Sequence, residues 1–334
     1  MSGDPSFSII VTAYNRRQYV MDAIRSLSLD SDSTVTPRPQ VIVSKNFRSQ
    51  NDDEELSRLG VRVLQTGDIS VGEMLAAAVD ECSGDYIAFL DDDDLFAPRK
   101  LERARSVLSG HSGTGYYHNG SSFFTGTSPK NPSTLDGQAA HVLEWPGHSI
   151  RLARTQLRYL LEANREQNLS SVVISRRVVN RSREYLSQIT GLTDSFMLVA
   201  ALAFSDRLIF DPFLGTMIRR HGLNTSVSER DLISRSETWR VIQAMTEHET
   251  HSKSVSTFVS VRQARDLLYD EARGIAKHPK RALKSMICLA TSPLCTCVSH
   301  NLACIALGAV AQLGPFNGIV SRKTVAPSKS SLAR

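Results

Sequence analysis

The sequence predicts an α/β fold with a mostly parallel central sheet, flanked by helices and followed by a helical C-terminal extension. Short apolar runs with the composition of strands buried on both faces occur at residues 7–12 (FSIIVT), 40–44 (QVIVS) and 85–90 (DYIAFL). A further candidate strand is residues 61–64. Segments with helical spacing separate these runs, and strands that alternate with helices are typical of a parallel sheet.

Apolar residues at helical spacing indicate the helices of this first part. Val20, Ile24 and Leu27 recur at i, i+4 and i+7 after the first strand. Asn15 is expected to cap this helix, because short polar side chains accept hydrogen bonds from the first turn. Residues 71–79 predict a second helix with small side chains, and a third follows the last strand of this part.

The composition changes after residue 110. Residues 111–148 are rich in Gly, Ser, Thr, Pro and aromatic residues, and are predicted to form loops and a hairpin. Beyond them we predict helices at residues 151–167, 194–203, 237–249 and 256–276, and strands at 171–175 and 207–210. The chain is accordingly divided into three segments, residues 1–110, 111–228 and 229–334.

The overall composition is that of a globular enzyme, with 41% hydrophobic residues, 22% charged residues and a formal net charge of +5. This balance excludes a largely disordered chain. No stretch approaches the roughly 18 to 20 apolar residues of a membrane-spanning helix, which excludes a polytopic membrane protein. The start, MSGDPSF, does not resemble a secretory signal, and five unevenly spread cysteines favour a reducing compartment. We therefore expect a cytoplasmic protein.

The positive charge is concentrated at the C-terminal end. Residues 272–334 contain nine Lys and Arg and no Asp or Glu, so this basic tail carries +9 and the rest of the chain −4. Residues 285–321 are uncharged and include an apolar run at 302–311 that is too short to span a bilayer. Such a segment between cations suits the surface of an anionic membrane; packing on the catalytic domain or on a second subunit is an equal alternative. Aromatic residues do not alternate with the cations, so no nucleic-acid partner is predicted.

The strongest chemical feature is a run of four aspartates, Asp91 to Asp94, directly after an apolar strand. Neighbouring carboxylates repel one another, and a divalent cation such as Mn²⁺ or Mg²⁺ removes that penalty. Strand-like alternation would point Asp91 and Asp93 to one side and Asp92 and Asp94 to the other. One pair would then bind the metal, and a carboxylate of the other would bond a sugar hydroxyl or a helix terminus. The alternative is a solvated acidic turn in which Asp94 caps the next helix.

Polar residues also follow the first two strands. They are Thr12, Tyr14, Asn15 and Arg16 after the first strand, and Lys45 and Asn46 after the second. Ligands of open parallel sheets bind beyond the carboxyl ends of the strands. The sequence therefore predicts one site at this edge, shared with the aspartates.

The segments SIIVTAYNRRQYVMDAIRSL and GDYIAFLDDDDLFAPRKLERA, with the spacing between them, resemble the family-2 glycosyltransferases. The resemblance covers residues 6–225 and implies the GT-A fold, whose sheet is Rossmann-like. It implies that residues 1–110 bind a UDP-, GDP- or dTDP-linked sugar and that 111–228 bind the acceptor. The expected reaction is an inverting, metal-dependent transfer to a glycan or polyprenyl-linked hydroxyl, carried out in the cytoplasm or at the cytosolic membrane face.

The resemblance also implies roles for single residues at the donor. Those expected to contact the sugar nucleotide are Thr12, Ala13, Tyr14, Asn15, Arg16, Asn46, Gly72, Asp91, Asp92 and Arg220. Asp91, Asp93 and His221 are the implied metal ligands. Asn46 departs from the Asp that is common in the family after the second strand, and an amide both donates and accepts, so the base preference stays open. Lys45 is interpreted either as a phosphate ligand or as surface, and Arg62 as surface.

Asp194, in GLTDSF, resembles the family's acidic residue at the start of a helix and is the implied general base. The alternative is that it only caps that helix. The aromatic residues Trp145, Tyr116, Tyr117, Phe123 and Phe124 lie where the acceptor pocket is expected, although core packing is the commoner role of such side chains.

Two other functions compete with sugar transfer. Haloacid-dehalogenase-like phosphatases also have aspartates after an apolar strand, but Leu95 stands where that motif has Thr or Val. A non-catalytic protein that binds sugar nucleotides is compatible with Ala13, where the family has Pro, and with Asn46.

Overall fold

The computed structural model describes residues 4–28, 37–126, 138–145, 152–163, 168–221, 229–272, 285–287 and 289. The apolar run at 302–311 and nearly all of the basic tail lie outside the described residues, so their contact with a membrane stays a prediction. Within the described part, no helix combines the length and the apolar composition needed to cross a bilayer.

One sheet contains all the described strands, and its first four lie parallel, in the spatial order β3–β2–β1–β4. They are β1 (Phe7–Ala13), β2 (Gln40–Lys45), β3 (Arg62–Gln65) and β4 (Tyr86–Asp91). The register sets Thr12 of β1 beside Ser44 of β2 on one side and Asp91 of β4 on the other. The carboxyl ends of these strands therefore meet at one edge, as predicted.

The sheet continues through the second half of the chain. Its further strands are β5 (Leu95–Phe96), β6 (Tyr116–Phe124), β7 (His141–Glu144), β8 (Val172–Ser175) and β9 (Arg207–Arg219). β8 pairs antiparallel with β4 and β6, and β9 runs parallel to β6. β5 and β7 add antiparallel pairs to β9.

The prediction of loops and a hairpin over residues 111–148 was wrong for β6, which lies between two strands in the middle of the sheet. Its sequence YYHNGSSFF has glycine and polar residues that lower strand propensity, yet pairing on both sides satisfies its backbone. β9 is also much longer than the predicted strand at 207–210. Neither result follows from local composition, because both strands depend on partners far away in the chain.

Helices cover both faces of the sheet. They are α1 (Arg17–Ser26), α2 (Gln50–Arg58), α3 (Val71–Asp80), α4 (Lys100–Ser109), α5 (Arg154–Ala163), α6 (Arg176–Leu186), α7 (Thr193–Phe204), α8 (Glu229–Glu249) and α9 (Lys253–Ala272). Side chains of α1, α2 and α4 share a core with one face, and those of α3 and α5 to α9 share a larger core with the other. The predicted helices match α1, α3, α4, α5, α7, α8 and α9; α2 and α6 were not predicted.

Candidate active site

Asp91 ends β4, and the three aspartates after it form a buried turn rather than an extended strand. The Asp94 N–H donates to the Asp91 carbonyl at 3.1 Å, which closes the turn. Arg16 binds two neighbours at once: its Nη2 lies 2.7 Å from Asp92 Oδ1, and its Nη1 donates to Asp93. The predicted alternation, with Asp92 and Asp93 on opposite sides, is therefore wrong.

Asp94 is buried and bonded to two distant parts of the chain. It accepts hydrogen bonds from the Ser170 hydroxyl at 2.7 Å and from the Arg219 N–H at 3.1 Å. Helix α4 is instead preceded by Arg99, which makes no side-chain cap. A solvated acidic turn with Asp94 as a helix cap therefore does not describe this segment.

Burial dominates the electrostatics of the turn. It raises the pKa of Asp92 to about 8, that of Asp94 to about 8 and that of Asp91 to about 6, and the charges of neighbouring aspartates add to the effect. Burial alone would lower the pKa of Arg16, but Asp92, Asp93 and Asp91 together raise it. A further positive charge beside this turn would therefore stabilise the ionised aspartates.

Ser170 bonds directly to the aspartate turn, and Lys100 bonds to Ser170. Neither residue was predicted from the sequence. Ser170 accepts a hydrogen bond from the Asp91 N–H at 3.0 Å while its hydroxyl donates to Asp94. The buried Lys100 ammonium donates to the Ser170 carbonyl and to Thr216 Oγ1, the latter at 3.1 Å. Desolvation lowers the pKa of Lys100 well below its ordinary value. No sequence signal marks these residues, since Lys100 looks like the polar surface of a helix.

The end of β9 brings His221 and Arg219 to the aspartates. His221 Nε2 lies 2.9 Å from Asp93 Oδ2. Arg219 is only 2% exposed, and its Nε donates to the Asp93 carbonyl at 3.0 Å. Arg220, the predicted phosphate ligand, points to the surface, where its guanidinium stacks 4.0 Å from the Phe123 ring. Alternation along the strand explains why residues 219 and 221 share a side, and a phosphate contact of Arg220 stays a prediction.

The predicted donor-binding residues after β1 and β2 also meet. Asn46 Oδ1 accepts the Asn15 N–H at 2.9 Å, and Asn46 Nδ2 donates to Asn15 Oδ1 at 3.0 Å. Asn15 has a φ of 58° and does not cap α1, so that prediction was wrong. The half-exposed Tyr14 donates its hydroxyl proton to Asp68, a carboxylate after β3 that was not predicted as a site residue.

The remaining residues of this edge have mainly structural contacts. Thr12 donates to Asp91 Oδ1 at 3.2 Å, and Ala13 is buried. Lys45 is buried and paired with Asp53, so the surface interpretation was wrong, and a phosphate contact of Lys45 stays a prediction. Arg62 is exposed, as predicted.

Gly72 faces the loop between α6 and α7. A Cβ at this position would lie 2.2 Å from the Leu186 carbonyl oxygen and 2.4 Å from that of Ile189. This close approach is by itself a sufficient reason for glycine at position 72. A contact of Gly72 with a nucleotide stays a prediction.

Asp194 lies in the first turn of α7, where its carboxylate accepts the N–H of Ser195 at 2.7 Å. The residue before the helix, Leu192, has a φ of 48° and provides no side-chain cap. Burial raises the pKa of Asp194, and its charge in turn contributes to the raised pKa of Asp91. The charge of the predicted base therefore makes a small contribution at the aspartate turn.

The predicted acceptor aromatics are mostly core residues. Tyr116, Tyr117 and Trp145 are at most 3% exposed, so the core alternative is correct for them. Phe123 is exposed at the surface beside Arg220.

The donor atoms that converge here suit a divalent cation, but the predicted ligands are not all in contact. Asp93 and His221 touch, whereas Asp91 is bonded to Thr12. Among the residues that the structure describes, no three His, Cys, Asp or Glu side chains surround a common point. Carboxylate oxygen with imidazole nitrogen is a donor set that accepts Mn²⁺. The pair therefore fits part of a metal shell.

The profile of glycosyl transferase family 2 matches residues 8–182, which is more than half of the chain. The chain belongs to glycosyl transferase family 2. This membership confirms the resemblance and makes a dehalogenase-like phosphatase the wrong assignment. The match includes β1 to β4, the aspartate turn and Ser170, so the matched region contains most of the site described above.

Solved structures with the same fold include S. aureus TarS. The TarS 1-349 structure gives a TM-score of 0.59 at 13% identity, covering 93% of this family-2 glycosyltransferase and 92% of that chain. The complex of TarS 1-349 with UDP-GlcNAc gives 0.58 at 12% identity, covering 92% and 91%. The longer TarS structure is matched over only 52% of its own length, so the present chain spans about half of it. No curated protein matches the chain.

Proposed function

We propose that this family-2 glycosyltransferase is an inverting, metal-dependent enzyme that transfers a sugar from a nucleoside diphosphate to a hydroxyl of a glycan or a lipid-linked glycan. The observation that carries this proposal is the meeting of Asp93, His221 and Arg16 at the carboxyl edge of the sheet. The shared fold with TarS, which has been crystallised with UDP-GlcNAc, favours a uridine-linked donor.

Inversion requires a base on the side of the sugar opposite the leaving group. Asp194 takes the proton of the acceptor hydroxyl while that oxygen bonds to the anomeric carbon, and the bond from this carbon to the diphosphate breaks. A bound Mn²⁺ or Mg²⁺, held by Asp93 and His221 with Asp91 as a further ligand, would stabilise the charge of the leaving diphosphate. Arg16 positions Asp93 and supplies a second positive charge beside it.

The experiment that tests the proposal is calorimetric titration of UDP-, GDP- and dTDP-sugars with and without Mn²⁺, combined with an assay for sugar release from the donor. We expect one donor to bind in the presence of Mn²⁺, and Asp93→Asn to weaken that binding by about tenfold or more, because a charged ligand of the metal is lost. Asp80→Asn is the matched control, since this exposed aspartate pairs with Arg183 away from the aspartate turn.

Binding that does not depend on Mn²⁺, or that survives Asp93→Asn unchanged, would contradict the metal site. Donor binding without any sugar release or transfer would instead support the non-catalytic alternative. The two results separate the metal assignment from the enzyme assignment.

A further inference from the structure

A cavity of about 300 Å³ lies on the sheet face that carries α5 to α9. Three rings stand side by side at its wall: in register, Phe210 of β9 pairs with His118 of β6 on one side and with His141 of β7 on the other. Tyr159 of α5 contacts this row, with ring centroids 4.0 Å from His141 and 5.4 Å from Phe210. The cavity is therefore walled by four aromatic rings from three strands and one helix.

Of the polar side chains at the cavity, His118 is uncharged and Asp211 is paired with an arginine. His118 is nine-tenths buried, and burial with the charge of Lys100 lowers its pKa to about 3, so the ring is uncharged at neutral pH. Asp211 is buried and bonded to Arg103 at 2.8 Å and to Tyr117 at 3.0 Å. The residues that the structure places in the lining include no Lys or Arg. The described lining thus offers aromatic faces and contains no Lys or Arg that would select a phosphate or a carboxylate.

The cavity lies close to the proposed reaction centre. His118 is in register with Val172, directly after the turn whose Ser170 holds Asp91 and Asp94. β6 is separated from β4 only by β8, so the cavity wall lies about 10 Å from the aspartate strand at ordinary strand spacing. Burial and the charge of Asp194 raise the pKa of Tyr116 well above its ordinary value, and the Tyr116 ring stacks on that of His118 with centroids 6.2 Å apart. The cavity wall therefore lies two strands away from the strand that ends at the aspartates.

From this geometry we infer that the cavity is an acceptor subsite for a neutral sugar ring. The inference rests on the proposed function and narrows it: the acceptor is a glycan whose unit stacks on the Tyr159–His141 wall, and a polyprenyl phosphate is not held there. A volume of about 300 Å³ is at the lower end of small-molecule pockets and suits one ring with its hydroxyls. Faces of aromatic rings pack on the apolar faces of sugars, and the sugar hydroxyls point to polar neighbours such as Ser121.

The test is saturation-transfer NMR on the full chain with methyl β-glucoside and methyl β-N-acetylglucosaminide as neutral probes. Methyl β-glucuronide and farnesyl phosphate serve as anionic probes. We expect the neutral glycosides to bind, and Tyr159→Ala and His141→Ala each to weaken that binding about three- to tenfold, because a stacked ring is lost. His141 is exposed, so its removal leaves the core intact. His248→Ala, at an exposed site on α8, is the matched control.

The inference is overturned if neither neutral glycoside binds, if both variants bind like the unaltered chain, or if the anionic probes bind as well as the neutral ones. These outcomes are separate from failure of the proposed function. A chain that releases sugar from its donor but binds no glycoside keeps the function and loses the subsite. A chain that binds glycosides but no sugar nucleotide keeps the glycoside-binding cavity and loses the proposed function.

Discussion

Asp92 and Asp93 both pair with the guanidinium of Arg16, and this positive charge offsets part of the negative charge of the site. Arg16 lies between an almost inaccessible carboxylate and one that also contacts His221. A divalent cation that reaches Asp93 must therefore share this carboxylate with Arg16, or displace it. Because the donor diphosphate brings negative charge, Arg16 and the cation are together suited to hold it.

Asp194→Asn is expected to lower kcat by about 10² to 10⁴, the usual contribution of a general base, while donor affinity changes little. The amide keeps the size of the side chain and removes its ability to accept a proton. Calorimetry for donor binding and a transfer assay measure the two effects separately. Asp206→Asn, on the exposed turn after α7, is the control and should retain full activity. Full transfer by Asp194→Asn would show that another group is the base.

The pH dependence of transfer should reflect the same carboxylate. Burial raises the pKa of Asp194, so its active, deprotonated form is lost at a higher pH than for an ordinary aspartate. The rate should therefore fall as pH falls through that raised pKa, and this acidic limb should be absent from the residual activity of Asp194→Asn. The charged and titratable groups around Asp194 are Asp91, Tyr116, Arg235, Arg262 and Asp266. An acidic limb unchanged in the variant would assign it to another carboxylate, such as Asp91, whose pKa burial raises to about 6.

Helix α3 packs so closely on the connection between α6 and α7 that only glycine fits at position 72. The N–H of Gly72, in the first turn of α3, donates to the Ile189 carbonyl at 3.2 Å. Ser70 and Glu73 form a capping box that fixes the start of the same helix. The two contacts hold α3 against the loop that leads into α7 and hence to Asp194.

Gly72→Ala is expected to destabilise the fold by about 1 to 3 kcal/mol, because the added methyl group would meet two carbonyl oxygens within 2.4 Å. Urea denaturation measures the change in the free energy of unfolding. Gly110→Ala is the control, since a Cβ there would meet no atom closer than 3.6 Å. If Gly72→Ala instead kept full stability and lost donor affinity, the glycine would belong to the nucleotide site.

At the scale of the whole molecule, one sheet spans both halves of the predicted catalytic domain, and the helices of the predicted extension share its core. β4 of the first half pairs with β8 of the second. Trp239 of α8 and Phe258 of α9 are 1% exposed and belong to the same apolar cluster as α7. We therefore expect the described part of the extension to unfold together with the catalytic domain.

Trp239→Ala should lower the free energy of unfolding by about 3 to 5 kcal/mol, the usual cost of removing a large buried aromatic side chain. Its neighbour Arg240 is exposed, and Arg240→Ala should change stability by less than about 0.5 kcal/mol. Far-ultraviolet circular dichroism and donor binding, followed through the same denaturant series, should report one transition for both variants. Two separate transitions would show that residues 229–334 form an independent unit.

Local pattern alone predicted β1, β2 and β4, the helices α1, α3 and α4 and the meeting of the polar strand ends, because parallel strands with helical connections leave little freedom of arrangement. The family also followed from two short segments. Tertiary structure alone decided that β6 is an inner strand, that Lys45 and Lys100 are buried cations, and that Arg219 rather than Arg220 contacts the aspartates. The physical reason is distance along the chain: the Arg219 contact with Asp93 joins residues 126 positions apart. Burial, which raises the pKa values of the aspartate turn, comes from elements that meet only when the chain folds.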